Sequence, residues 1–196
     1  MTSSIKLKHN LSAYHLNQTY EDDYYAYLRS DAFKDTFMAK IGHHIRTKSV
    51  LDVGCGEGQL ADFVGGSYIG IDGSAVAIAN AIETYKGDHS KYFEVGRIEN
   101  PPKLGHVQVV VFSAILDFMV EPESYIPLFD MYAQLYQPEM FVICDLVRAD
   151  FIELKKVYKP KYKDWVATVE YDGVPEIKKT RKVIVLSGKR HEYEQI

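Results

Sequence analysis

The sequence predicts an α/β domain built on a mostly parallel sheet with helices packed against it. Three features of the 196-residue chain lead to that class. Apolar runs at residues 49–53, 67–72, 107–113 and 140–145 lack the regular polar alternation of a half-exposed strand, as expected of strands covered on both faces. Segments with helical spacing separate them, which suits parallel strands joined by crossovers. Gly54, Gly56 and Gly58 directly follow the first run, at the strand end where α/β sheets bind ligands.

Residues 1–48 are an aromatic leader that carries Tyr14, His15, Tyr20, Tyr24, Tyr25 and Tyr27. Tyr20, Tyr24, Tyr27 and Leu28 fall at i, i+4, i+7 and i+8, which predicts a helix with an apolar face. A second helix is expected after Ser30 as N-cap, with Phe33, Phe37, Ile41 and Ile45 on one stripe. These helices form a cap that packs on the sheet and can also close over a ligand. Tyrosine rings suit core and rim packing equally well.

The organising stretch is Val50-Leu51-Asp52-Val53-Gly54-Cys55-Gly56-Glu57-Gly58. Glycine permits φ > 0, and its missing Cβ lets a ligand approach the backbone. Residues 59–64 are expected to start a helix whose free N–H groups face the same space. The dinucleotide fingerprint G-x-G-x-x-G would place its third glycine at Gln59, whereas here Gly58 comes one residue early. Asp-x-Gly-x-Gly-x-Gly, running from Asp52 to Gly58, resembles the first motif of the class I S-adenosylmethionine-dependent methyltransferases. Residues 67–72 then read as a second parallel strand ending in Asp72, twenty positions after Asp52. A carboxylate at that point in a βαβ unit can accept hydrogen bonds from two ribose hydroxyls. Gly73 and Ser74 begin a helix over residues 75–85, with small Ala75, Ala77, Ala79 and Ala81 for close packing.

Residues 92–96 read as a third strand. The resembled family carries an acid directly after it to hold the adenine amino group, and here that position is Arg97, with Glu99 two residues on. Either Glu99 substitutes, or adenine is held by backbone groups around Ile98 and by apolar contacts. The β-branched run at 107–113 suits the centre of a sheet and ends in Ser113. The loop after it, with Asp117, faces the methyl group in the resembled family. It lacks the Asn/Asp-Pro-Pro-Tyr/Phe signature, which argues against methylation of adenine N6 or glutamine N5. A helix is expected over 122–137 with Ile126, Phe129, Tyr132, Ala133 and Tyr136 on one face, then a strand over 140–145 and a helix over 151–158. Residues 164–171 and 182–187 read as two strands joined by a turn.

The resemblance implies a three-layer Rossmann-like methyltransferase fold: a seven-stranded, mostly parallel sheet of six parallel strands with the last antiparallel, plus an N-terminal helical cap. Residues 1–48 would be the cap or lid, 49–190 the S-adenosylmethionine-binding domain and 191–196 a tail. By the same likeness Asp52, Gly54 and Gly56, with Cys55 and Gly58 in the turn, hold the methionine end of the cofactor. Asp72 with Gly73 holds the ribose, and Arg97, Ile98 and Ser113 complete the cofactor residues. Transfer from a sulfonium needs alignment and exclusion of water rather than a metal or a covalent intermediate. A base for an oxygen or nitrogen acceptor has three candidates by topology, Asp117, His15 and Tyr14.

Composition narrows the partners. A net charge of −4 argues against general binding to nucleic acid. Residues 148–196 nevertheless carry 12 Lys/Arg against 8 Asp/Glu, with clusters at Lys155–Lys163 and at Lys178, Lys179, Arg181 and Lys182. No apolar run reaches the ~18–20 residues of a membrane helix. The opening MTSSIKLKHN leads into polar and aromatic residues rather than a signal-peptide core, so a cytoplasmic location is expected. Cys55 and Cys144 have no disulfide or metal spacing and read as small buried residues. The expectation is a monomeric or homodimeric enzyme that moves a methyl group to O or N of a small soluble molecule by direct in-line displacement, leaving S-adenosylhomocysteine. Two alternatives stay open, methylation of RNA or protein through the basic C-terminal face, and a non-catalytic cofactor-binding module.

Overall fold

The computed structural model describes residues 13–21, 29, 38–113, 115, 125–146, 165–174 and 179–188. Strands β1 (Val50–Val53), β2 (Tyr68–Asp72), β3 (Lys91–Val95), β4 (Val109–Ser113), β5 (Met140–Leu146), β6 (Trp165–Val174) and β7 (Lys179–Gly188) form one sheet in the order β3-β2-β1-β4-β5-β7-β6. Parallel ladders join β1 to β5, with Val50 opposite both Tyr68 and Val109. β7 lies antiparallel to β5 and to β6. Parallel pairing therefore joins five strands, while β6, antiparallel to β7, runs in the same direction as those five and meets none of them directly. The short β6–β7 connection cannot form the long crossover that a parallel pair needs, so β6 is held through β7 by antiparallel bonds.

Alternation along each strand divides the core between the two faces. Val50, Val109, Val111, Met140 and Val142 point one way, against Ile41 and Ile45 of α2 (Ala39–Ile45), Leu60, Ala61 and Val64, and Ile78 and Ala81 of α3 (Ala75–Thr84). Leu51, Val53, Val110, Phe112, Phe141 and Ile143 point the other way, against Leu128, Phe129, Tyr132 and Tyr136 of α4 (Tyr125–Tyr136). Two covered faces explain why these strands read as continuous apolar runs. Phe112 is the hub of the second face, with ring centroids 5.4 Å from Phe129, 5.1 Å from Tyr132 and 5.9 Å from Phe141. Burying one such ring contributes roughly 1.5–3 kcal/mol.

Two helices differ from expectation. Residues 59–64 make no α-helix but a 3₁₀ helix, Gln59–Phe63, entered from Gly58 in the left-handed region. Val64 is already extended and the Gly65–Gly66 pair follows, so only five residues are available to the helix. In the leader, helix α1 spans Ala13–Glu21 and so begins before the aromatic pattern that started at Tyr20. Tyr24, Tyr27, Ser30, Phe33 and Phe37 lie outside the described residues, as does the helix expected over 151–158. Ile41 and Ile45 are fully buried, as their stripe predicts.

Candidate cofactor site

Sheet order reverses at β1, whose neighbours are β2 on one side and β4 on the other. A crevice at the carboxyl ends of the strands is the general consequence of such a switch point. The glycine turn lies there. Gly54, Gly56 and Gly58 have φ of 79°, 57° and 82°, values that favour glycine. A Cβ on Gly54 would stand 2.7 Å from the Ser113 carbonyl oxygen, so glycine is what lets the ends of β1 and β4 meet. The turn folds back on β2, with the Gly54 and Cys55 amides donating to the Ile71 carbonyl at 2.8 and 3.1 Å.

Both predicted strand-end acids are at this edge, in different settings. Asp52 is 1% exposed and accepts from the Tyr68 hydroxyl at 2.7 Å and the Ser113 hydroxyl at 2.8 Å. Burial pushes its carboxyl up to about 6 although both hydroxyls oppose the shift. Its side chain ties β1 to β2 and β4 from inside the sheet. Asp72 sits half-buried at the end of β2 and accepts backbone N–H groups instead, from Ser74 at 2.8 Å and Gly56 at 3.0 Å. Burial raises its pKa too, against the lowering effect of these amides. The Asp72 carboxylate thus fastens the glycine turn to the turn that starts α3.

The other expected residues separate into groups. Gly73 and Cys55 are in the same two turns, and the buried Cys55 thiol donates to the Gly56 carbonyl at 3.5 Å. Ser113 is present but spends its proton on Asp52. Arg97 is exposed and paired with Glu99 at 2.8 Å, which engages the acid expected as a substitute for the missing adenine partner. Burial works to raise the Glu99 pKa, yet the hydrogen bond from Arg97 prevails and the net shift is downward. The Ile98 carbonyl accepts from the Tyr132 hydroxyl at 3.2 Å. Asp117 lies outside the described residues, and so do the side chains of Tyr14 and His15, although their backbone belongs to α1.

Sequence reasoning expected the leader to cover the turns but not the contacts through which it does so. Asn17 of α1 accepts from the Ser74 hydroxyl at 3.0 Å and from the Val76 amide at 3.3 Å, adding an outer cap to α3. Ser74 is itself the N-cap, accepting from the Ala77 amide at 3.2 Å. Leu16 would touch a Cβ on Gly73 at 2.6 Å, and the Tyr20 hydroxyl would touch one on Gly56 at 2.7 Å. Arg29 grips Glu57 in the glycine turn at 2.6 and 3.2 Å, while Asn80 of α3 donates to the same carboxylate at 2.8 Å. The Glu57 carboxylate is therefore a second link between leader and turn. No local pattern marks Leu16, Asn17, Arg29 or Asn80.

The glycine turn and the carboxylate at the end of β2 lie together at the switch point, where α/β sheets bind nucleotides. Comparison with known proteins agrees. A family model described as a methyltransferase domain matches residues 45–193. No curated protein sequence matches the chain significantly. Among solved structures, magnesium protoporphyrin IX methyltransferase from Synechocystis, with bound S-adenosylmethionine, superposes with a TM-score of 0.70 at 13% identity, over 90% of this chain and 95% of that one. The N-methyltransferase NodS from Bradyrhizobium japonicum, with S-adenosylhomocysteine, gives 0.65 at 13% identity, over 88% and 98% of the two chains. A plantazolicin methyltransferase, held with a substrate analogue and S-adenosylhomocysteine, gives 0.62 at 16% identity over 89% and 95%.

Proposed function

We propose that this chain, which belongs to the S-adenosylmethionine-dependent class I methyltransferase family, methylates an oxygen or nitrogen of a small soluble molecule. The observation that carries the choice of a small acceptor is the cover on the crevice. Leu16, Asn17 and Tyr20 of α1 close down on Gly73, Ser74 and Gly56, which favours an acceptor that fits beneath a lid. The similar structures named above are described as acting on a porphyrin, as an N-methyltransferase and on plantazolicin. Two others are described as a putative RNA methyltransferase and a tRNA (uracil-54, C5)-methyltransferase, so the fold carries both kinds of acceptor and the choice rests on the cover.

The bound cofactor supplies a methyl group on a sulfonium, already activated for displacement. The chain's own contribution is placement. Asp72 would receive the ribose hydroxyls, held in position by the Gly56 and Ser74 amides. The glycine turn would border the cofactor's tail, and α1 would keep water from the reacting atoms. Asp117, His15 and Tyr14 are the candidate proton acceptors for an acceptor that must lose a proton.

Calorimetric titration with S-adenosylhomocysteine, followed by radiolabelled methyl transfer to small-molecule pools, total RNA and total protein, tests this reading. Binding with label confined to small molecules is the expected result. Label in RNA or protein overturns the small-acceptor reading, and binding with no transfer in any pool identifies a non-catalytic module.

A further inference from the structure

Strand β3 closes one end of the sheet, and among the described residues no strand lies beyond it. Its ladder to β2 fixes which backbone groups remain open. The Tyr68 amide donates to the Ser90 carbonyl at 2.9 Å, and the Gly96 amide to the Asp72 carbonyl at 2.9 Å. The backbone groups of even-numbered residues from 90 to 96 therefore face β2, and Phe93 and Val95 turn their N–H and C=O groups outward. The Lys91 carbonyl points outward as well, while its amide is spent on the Asp88 carbonyl.

Edge strands are blunted by a lysine, a proline, a bulge or a covering segment. Among the described residues β3 has none of these. Its register with β2 is continuous from Lys91 to Val95 and contains no proline. The Lys91 ammonium is turned inward, donating to the Val64 carbonyl beside the Tyr68 ring, and so does not guard the edge. The crossover to β4 has no helix in residues 96–108, which leaves Tyr92 55% exposed on one face of β3. On the other face Val95 is 51% exposed, and Ile82 of α3 is 52% exposed.

We propose that β3 pairs antiparallel with β3 of a second copy of this chain, about a two-fold axis centred on Phe93, so that two sheets become one. The strand is complementary to itself in that register, and only this register pairs all five of its residues with one another. The outward groups of Phe93 bond their equivalents, and the Val95 N–H meets the Lys91 carbonyl of the second copy. Tyr92 then stands opposite Glu94, a pairing its hydroxyl already favours within one chain, where it donates to Glu94 at 3.4 Å. A register centred on Glu94 would oppose two carboxylates, and one centred on Lys91 would need an amide already spent. The same axis joins apolar groups that are apart in one copy. Helix α3 runs antiparallel to β3, so Ile82 in its last turn lies at the Lys91 end, where Val95 of the second copy arrives on the same face.

Light scattering coupled to gel filtration reads the mass, and amide hydrogen exchange at low and high concentration reads the surface. The wild type is expected at twice the chain mass, with protection of the Phe93 and Val95 amides that rises with concentration. Val95→Pro removes an outward donor from each copy without touching the ladder to β2, and weakens the dimer about tenfold or more. Tyr92→Glu sets carboxylates opposite one another twice by symmetry, which weakens the dimer about a hundredfold. Adding Glu94→Lys to Tyr92→Glu restores opposite charges across the axis and with them the dimer. A wild type that stays monomeric overturns the proposal, as does a dimer that survives both single variants or whose Phe93 and Val95 amides gain no protection. Loss of the dimer in Tyr92→Glu without recovery in the double variant overturns the register. Thermal melts establish that each variant is folded, and where one is not, the exchange pattern of the wild type decides alone.

Discussion

Asp52 and Asp72 are the same residue type at the ends of adjacent parallel strands, and the protein uses them in opposite ways. Asp52 is satisfied by two side-chain hydroxyls from other strands, Tyr68 and Ser113, and has almost no exposure. Asp72 is satisfied by backbone amides of the two turns beside it and remains half-exposed. The first carboxylate works inward and joins strands. The second works at the rim and shapes the turns that a ligand meets. Position in a motif therefore does not settle what an acid does, because its donors do.

Substitution can break that contrast. The largest effect is expected at Asp72→Ala, which removes both the proposed ribose partner and the tie between the two turns. Two charge-assisted hydrogen bonds account for about 3 kcal/mol or more, so calorimetry should show S-adenosylhomocysteine binding weakened roughly a hundredfold. Asp52→Asn tests the inward role through pH. The folded pKa of Asp52 lies above its unfolded value, so the native state holds a proton that the unfolded chain has released. Its contribution to stability is present below the ordinary carboxylate range and is lost as pH rises through about 6. Relative to Asp52→Asn, the wild type should gain up to about 3 kcal/mol on acidification across that window, read from denaturant melts. Ligand affinity should change little. Arg97→Ala is the smallest: an exposed pair with Glu99 contributes about 0–1 kcal/mol, and affinity for S-adenosylhomocysteine should move less than about twofold. A large loss there would return Arg97 to the cofactor site.

The strands were legible because their chemistry is local. Runs such as 107–113 are apolar on both faces and announce burial without reference to the rest of the chain. The spacing of Asp52, Gly54, Gly56 and Asp72 was legible for the same reason, since one βαβ unit contains all of them. The 3₁₀ helix was misread because Leu60 and Ala61 look helical, while the Gly65–Gly66 pair that cuts the helix short follows them. The choice between Glu99 and backbone groups as adenine partner was not legible, because Arg97 engages Glu99 within the same three-residue segment. The lid contacts could not be read at all. Asn17 meets Ser74 across 57 positions and Arg29 meets Glu57 across 28, and neither distance leaves a periodic trace.

The sheet order has a consequence for how the chain comes into being. β1 is the seam of the sheet, but its two partners are made at different times: β2 follows within twenty residues, whereas Val109 of β4 lies almost sixty residues beyond Val50. A nascent chain that has completed β3 holds a three-stranded sheet with β1 at one of its two open edges, the more apolar of the two. Loop-closure entropy delays the long-range pairing, and an unpaired apolar edge invites other strands. The architecture that creates the cofactor crevice thus leaves β1 open to mispairing until β4 has been made.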